Sequence, residues 1–251
     1  MFSHYGPLCT ELYNLTKPVG HSISGDIEFY FERLSGTKGR ILEAAVGSGR
    51  FYIPMLEQGF LIEGIDNSPD MLSSCQKQCE ERDLSPTLFK GDLSNFVLPN
   101  NYEVIVVPSG SFCLIEDYQA AVNALTCFYD HLQPDGRLII DLILLDGWNP
   151  DQNELKTFPI SEDEGILLES RAKEIDWVHQ YHVSYLKYEK WLKGKLVASE
   201  LQRFALRWYG VKEFELLLES IGFTNITYSA DYHFKKEPTT SSSIVTFEAI
   251  R

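Results

Sequence analysis

The stretch ILEAAVGSGRF, Ile41 to Phe51, joins an apolar run to a break of small residues. Gly47 and Gly49 carry no Cβ, so a ligand there can touch the main chain itself; the alternative is a plain tight turn. Three side chains further on could complete a site. Asp66 ends LIEGID, and a carboxylate about twenty residues past such a break can accept hydrogen bonds from both ribose hydroxyls. Asp92 follows Gly91 at the end of LFKGD. It can accept from the exocyclic amine of an adenine, or act as a turn aspartate. Met71, one helical turn past Asp66, can lay its thioether against an aromatic ring or pack within its helix. Together these groups describe a pocket for an adenosine.

Other nucleotide loops fit less well. A dinucleotide fingerprint needs a third glycine where this chain has Tyr52, and no Gly-Lys-Ser/Thr follows for a phosphate loop. The formal net charge is -14 over 251 residues, which repels phosphate backbones and argues against nucleic acid as a partner. Small neutral or cationic substrates suit it better. Five cysteines, an odd number, argue against a secreted disulfide framework. Cys75 and Cys79 sit one helical turn apart with no further ligands, so no metal site is expected. The N-terminus lacks a basic region before an apolar core, and no run reaches membrane length. The reading is a soluble, cytoplasmic protein with no membrane partner, a monomer or a homodimer.

The elements that must hold these residues alternate. ILEAAV, FLIEGID, TLFKGD, YEVIVVP and RLIIDLILL read as strands, with helices between them. RFYIPMLEQG is one such helix. Ser68 caps the next, with Pro69 at its first position. Asp117 caps a later helix whose apolar face carries Tyr118, Ala121, Val122 and Leu125. Pro134-Asp135-Gly136 reads as a turn. Phe214, Leu217, Leu218 and Ile221 share a face that Gly222 ends. TNITYSAD and SSIVTFEAI close the sheet. Alternation of this kind means an α/β fold with a mostly parallel sheet and helices on both faces. Between 150 and 208 the helical period fades. HQYHVSYLKYEKW and ASELQRFALRW read as strands around a turn at Lys193-Gly194. The expected division is 1–149 with 209–251 as the main domain and 150–208 as an inserted antiparallel β subdomain.

ILEAAVGSGRF, LIEGIDNSPDML and LFKGDL resemble the first three motifs of the class I S-adenosylmethionine-dependent methyltransferases. EVIVVPSGSF, HLQPDGRLIIDL and VKEFELLLESIGFTNI extend the resemblance over most of the chain outside the insert. It implies a Rossmann-like seven-stranded sheet with the last strand antiparallel. It implies S-adenosylmethionine as cofactor, S-adenosylhomocysteine as product, and methyl transfer to a small-molecule acceptor. Residue by residue, Glu43 and the Ala45–Gly49 backbone, Gly47 and Gly49 included, face the methionine part. Asp66, beside Asn67, holds the ribose. Met71 and Leu93 flank the adenine, and Gly91 and Asp92 approach its amine. Pro108, Ser109, Ser111 and Phe112 stand where the fourth motif lines the cofactor and the acceptor pocket. Tyr13 is similar to a tyrosine that closes over the cofactor. The family usually has glycine where Ala45 stands, and alanine fits there if its φ stays negative.

The acceptor is expected to meet the insert. Tyr181 and Arg203 are candidate substrate contacts, and His179, His182 and Tyr185 are candidate catalytic groups. Most aromatics there equally serve to cement the small sheet. The acidic balance favours N-methylation of an amine slightly over O-methylation. Two alternatives remain: a non-catalytic module that binds the cofactor, and a nicotinamide-dependent oxidoreductase.

Overall fold

The computed structural model describes residues 2–145 and 147–251. Two helices come first, α1 (Pro7–Thr16) and α2 (Asp26–Leu34). Then β1 (Ile41–Ala44), α3 (Tyr52–Glu57), β2 (Ile62–Asp66), α4 (Pro69–Glu80), β3 (Leu88–Lys90) and β4 (Tyr102–Val107) alternate. A 3-10 helix (Pro108–Leu114), α5 (Tyr118–His131) and β5 (Leu132–Ile143) follow. A second sheet holds β6 (Asn153–Pro159), β7 (Glu164–Asp176), β8 (Tyr181–Leu192) and β9 (Lys195–Arg207). The chain then returns to the first sheet through α6 (Val211–Ile221), β10 (Thr224–Ala230) and β11 (Ile244–Ile250).

The main sheet runs β10-β11-β5-β4-β1-β2-β3. Its members β1 to β5 pair in parallel, and β11 is antiparallel to both β5 and β10. Every residue of β1 and β2 is buried, as strands covered on both faces must be. One face packs Leu42, Ile105 and Phe247 against Phe128 of α5 and Phe214 of α6. The other packs Ile41, Val104 and Ile139 against Tyr30 of α2 and Tyr52 of α3. From β1 the chain moves to β2 and β3 on one side, then crosses back to β4 on the other. The resulting crevice, beyond the carboxyl ends of β1 and β4, is where such sheets bind ligands. The second sheet is a separate antiparallel one, ordered β6-β7-β8-β9. Leu8, Cys9 and Leu12 of α1 lie between it and α4, touching Ile166 and Tyr188 on one side and Met71 on the other. No helix among the described residues is long and apolar enough to cross a membrane.

Several local expectations need correction. The second sheet has four strands, not two; β6 and β7 precede the pair read from the sequence. Pro134-Asp135-Gly136 is a bulge within β5 rather than a turn before it. Pairing with β4 shifts from Tyr102↔Leu132 to Val104↔Arg137 across it, and Asp135 takes up the strain at φ 62°. Tyr118 is exposed, and the buried face of α5 is Ala121, Ala124, Leu125 and Phe128. Helix α3 is shorter than the stretch that suggested it. The caps hold: Ser68 Oγ accepts from Met71 N, and Asp117 Oδ1 from Ala120 N.

Candidate functional site

The loop after β1 is shaped by three left-handed residues, Ala45 at φ 60°, Gly47 at 56° and Gly49 at 91°. The expected negative φ at Ala45 is thus overturned. An alanine holds a conformation that costs it roughly 1 kcal/mol, because Val46 N is tied to Ile65 O at 3.0 Å and the loop must turn to reach Asp66. Asp66 braces that turn. Its Oδ2 accepts from Gly47 N and its Oδ1 from Ser68 N, each at 2.8 Å. Burial pushes its carboxyl upward, and the amides of Ser68, Gly47 and Asn67 pull it back. Asp92 Oδ1 accepts from Ser94 N at 2.8 Å and Ser94 Oγ at 2.7 Å.

These strand ends open on one cavity of about 390 Å³. Of the expected cofactor residues, Tyr13, Ala45, Gly47, Asp66, Asn67, Met71, Gly91, Asp92 and Leu93 line it. Ser111, expected to contact substrate, lines it too. So do residues the sequence did not single out for the site: His4, Tyr5, Ser94, Leu114, Ile115, Glu116, Asp117 and Ala120. The N-terminal residues arrive by tertiary contact alone. Ser3 N donates to Leu201 O of β9 at 2.8 Å, and Ser68 Oγ donates to Tyr5 O at 2.8 Å.

Beside Ser109 lies a buried charged cluster; neither Ser109 nor Glu43, both expected to face the cofactor, lines the cavity. Glu43 is 2% exposed, and its Oε2 has no partner. Burial pushes its carboxyl well above the usual carboxylate range, with Arg50 opposing and Asp66 and Asp26 adding to the rise. Arg50 Nη2 lies 2.6 Å from Asp26 Oδ2 and 2.6 Å from Ser109 Oγ, while its Nε is buried without a partner. Lys17 stands over the Tyr13 ring, 5.0 Å from its centroid. Burial and the nearby Arg50 lower its ammonium pKa. Two buried side-chain groups without partners, one carboxylate oxygen and one guanidinium N–H, fit a zwitterionic amino acid end. The open space beside Gly47, where no atom lies within 4 Å of an added Cβ, fits a close-lying nucleoside.

Ser109 is also left-handed, at φ 58°, and its amide donates to Asp141 Oδ2 at 2.6 Å. Asp141 further accepts from Tyr232 and Thr246. Burial raises its carboxyl to about 6, against the pull of Thr246, Ser109, Tyr232 and Tyr30. The folded state therefore holds that proton more tightly than the unfolded chain does. The resulting stability is complete below about pH 4 and is lost as pH rises through about 6. Asp141→Asn mimics the protonated form. Thermal unfolding across pH 4 to 7 is expected to show wild type losing ground to the variant, by on the order of 3 kcal/mol. A constant difference would refute the assignment.

The remaining expected residues do not meet the cavity. Phe112 is fully buried, its ring 5.7 Å from Tyr209 and 5.6 Å from Phe214, so it belongs to the core and does not line the cavity. Pro108 is buried at the start of the 3-10 helix. Gly49 serves packing, since an added Cβ would lie 2.8 Å from Cys75 Sγ. His179 is exposed and bound to Asp176 at 2.8 Å. His182 lies against Trp148, ring centroids 5.3 Å apart and tilted by 53°, and burial lowers its pKa. Tyr185 stacks on Phe2. Tyr181 sits opposite Arg207 in the second sheet, and Arg203 pairs with Glu116. Among the described residues no cluster suits a metal ion.

The two glycines make separable predictions. Gly47→Ala is expected to cost about 1 kcal/mol of stability through its φ and to weaken nucleoside binding several-fold. Gly49→Ala adds overpacking of about 1–3 kcal/mol and should lower Tm clearly more. Equal Tm losses would merge the two roles.

Comparison with known proteins bears on the fold and the activity. Residues 41–136 match the family described as methyltransferase domain. Over that segment the chain is similar to methyltransferase domains. It is 25% identical over 222 residues to "Putative methyltransferase YqeM" of Bacillus subtilis, with 84% of each chain covered. It is 26% identical over 158 residues to the glycine/sarcosine N-methyltransferase of Aphanothece halophytica, covering 57% of this chain and 59% of that one. The solved S-adenosylmethionine-dependent methyltransferase of Clostridium acetobutylicum shares the fold, with a TM-score of 0.73, 16% identity and 96% of each chain covered.

Proposed function

We propose that this enzyme methylates the nitrogen of a small amine. The observation that carries the cofactor geometry is the convergence of Asp66, Asp92 and the bare loop at Gly47 on one cavity. In this reading Asp66 and Asn67 hold the ribose. Met71 and Leu93 flank the adenine, and Asp92 meets its amine. Glu43 takes the ammonium of the methionine end, and Arg50 with Lys17 its carboxylate. Tyr13 closes the pocket. Residues 150–208 form a lid that admits the acceptor to the domain made by 1–149 and 209–251.

S-adenosylmethionine supplies a methyl group on a sulfonium, which is already a good leaving group. The protein therefore has to orient and dry the site rather than activate the donor. Asp66 fixes the nucleoside through a loop it also braces. An amine attacks only when neutral, so the acceptor must shed its proton before transfer and again afterwards. No lysine or arginine lines the cavity; with Asp66 and Asp92 committed to the cofactor and Glu116 paired with Arg203, Asp117 is the wall carboxylate that favours a cationic acceptor over an anionic one. The glycine/sarcosine N-methyltransferase among its relatives supports nitrogen as the methylated atom. Incubation with S-adenosylmethionine and parallel panels of small amines and hydroxyl compounds tests it. Methylated amines are expected by mass spectrometry. Transfer to hydroxyls alone would replace N- with O-methylation.

A further inference from the structure

One wall of the cofactor cavity is the segment Leu114 to Asp117, which links the 3-10 helix to α5. Its local bonds are few. Ile115 N donates to Phe112 O at 3.1 Å, and Ala120 N to Asp117 Oδ1 at 2.7 Å. Glu116 is held from elsewhere. Both oxygens of its carboxylate accept from the Arg203 guanidinium, with Nη2 at 2.8 Å from Oε1. Its main-chain oxygen accepts from Arg207 Nε at 2.8 Å. Both arginines lie on β9, four positions apart and so on one face of the strand. Asp66, Asp92 and Asp117 take their donors from nearby loops and the first turn of α5 in the main domain. Glu116 takes its donors from the second sheet, 87 and 91 residues away.

We propose that Arg203 is a positioning residue for the cofactor. Through Glu116 it sets the wall of the pocket that Asp92 and Leu93 also line, so the second sheet controls cofactor affinity as well as acceptor access. The inference rests on the cavity being the S-adenosylmethionine pocket, and it replaces the expectation that Arg203 touches the acceptor. A guanidinium fork fixes a carboxylate in two directions, which a lysine ammonium does not. Each side chain is about a third exposed, at 32% and 31%, so the pair acts by geometry more than by charge energy.

Calorimetric titration of the whole chain with S-adenosylhomocysteine and with 5′-methylthioadenosine, which lacks the amino acid end, tests the proposal. Arg203→Met and Glu116→Gln are each expected to weaken both ligands roughly tenfold, and the double variant to be no weaker than either. Arg203→Lys should fall between them and wild type. Unchanged affinity with a lowered Tm would make the pair a structural brace only. Unchanged cofactor affinity with a raised acceptor KM would restore Arg203 to the acceptor. Either result overturns the proposal. Should Arg203→Met fail to fold, Glu116→Gln reads the same wall from the other side. Wild type binding neither nucleoside would instead remove the cofactor assignment itself.

Discussion

Arg50→Met is expected to destabilise the protein by about 3–5 kcal/mol, because it strands a buried carboxylate. Asp26 is fully buried and Arg50 is 4% exposed. Removing the guanidinium leaves Asp26 with amide donors from Ile23 and Ile27 and the hydroxyl of Ser109 but no countercharge. For a chain of this length the loss corresponds to roughly 6–20 °C in Tm. Asp26→Asn in the same background removes the stranded charge and should recover part of it. A Tm within 2 °C of wild type, on the scale of about 1 kcal/mol or less, would mean that the pair contributes little. Ser109 Oγ lies between Arg50 and Asp26, and in the proposed function this pair sits at the amino acid end of the cofactor. Surviving Arg50→Met protein should therefore bind S-adenosylhomocysteine more weakly than it binds 5′-methylthioadenosine, each relative to wild type.

Asp66→Ala is expected to weaken S-adenosylhomocysteine by about 1–3 kcal/mol, roughly 5- to 150-fold. The residue acts twice. In the proposed function it presents a carboxylate to the ribose, and in the structure it holds Gly47 N, on the pocket wall, and Ser68 N, at the start of α4. Asp66→Asn separates these roles. One side-chain oxygen can still accept from an amide, while the other position becomes a donor, so binding should fall with less loss of Tm than in Asp66→Ala. Equal Tm and unchanged affinity in both variants would take Asp66 out of the site.

Much of this site was legible because its parts are local. A strand buried on both faces reads as a continuous apolar run, and the residue that ends it must sit at the sheet edge. Asp66, Asp92 and the glycine loop follow from that alone. The caps at Ser68 and Asp117 were legible for the same reason. What the sequence hid depends on distance. Asp26 and Arg50 pair across a helix and a strand with no pattern to mark them, although an arginine directly after a glycine turn was a clue. His4 and Tyr5 reach the cavity only because Ser3 pairs with β9 and Tyr5 with Ser68. Strand β6 is exposed at all but one position, so ELKTFP carries no alternation to reveal it. Ala45 shows the limit of reasoning from residue type: the loop's bonds hold a conformation that alanine by itself disfavours. Phe112 and Arg203, both expected at the acceptor, do not line the cavity, because neighbours in sequence to a site need not face it. Phe112 turns into the core, and Arg203 pairs with Glu116, which lines the cavity.

A crystal structure with S-adenosylhomocysteine tests the central claim most directly. The ribose hydroxyls should lie within hydrogen-bond reach of Asp66, the adenine beside Leu93 with its amine at Asp92, and the ammonium near Glu43. A nucleoside bound away from both aspartates, or reversed in the cavity, would contradict it.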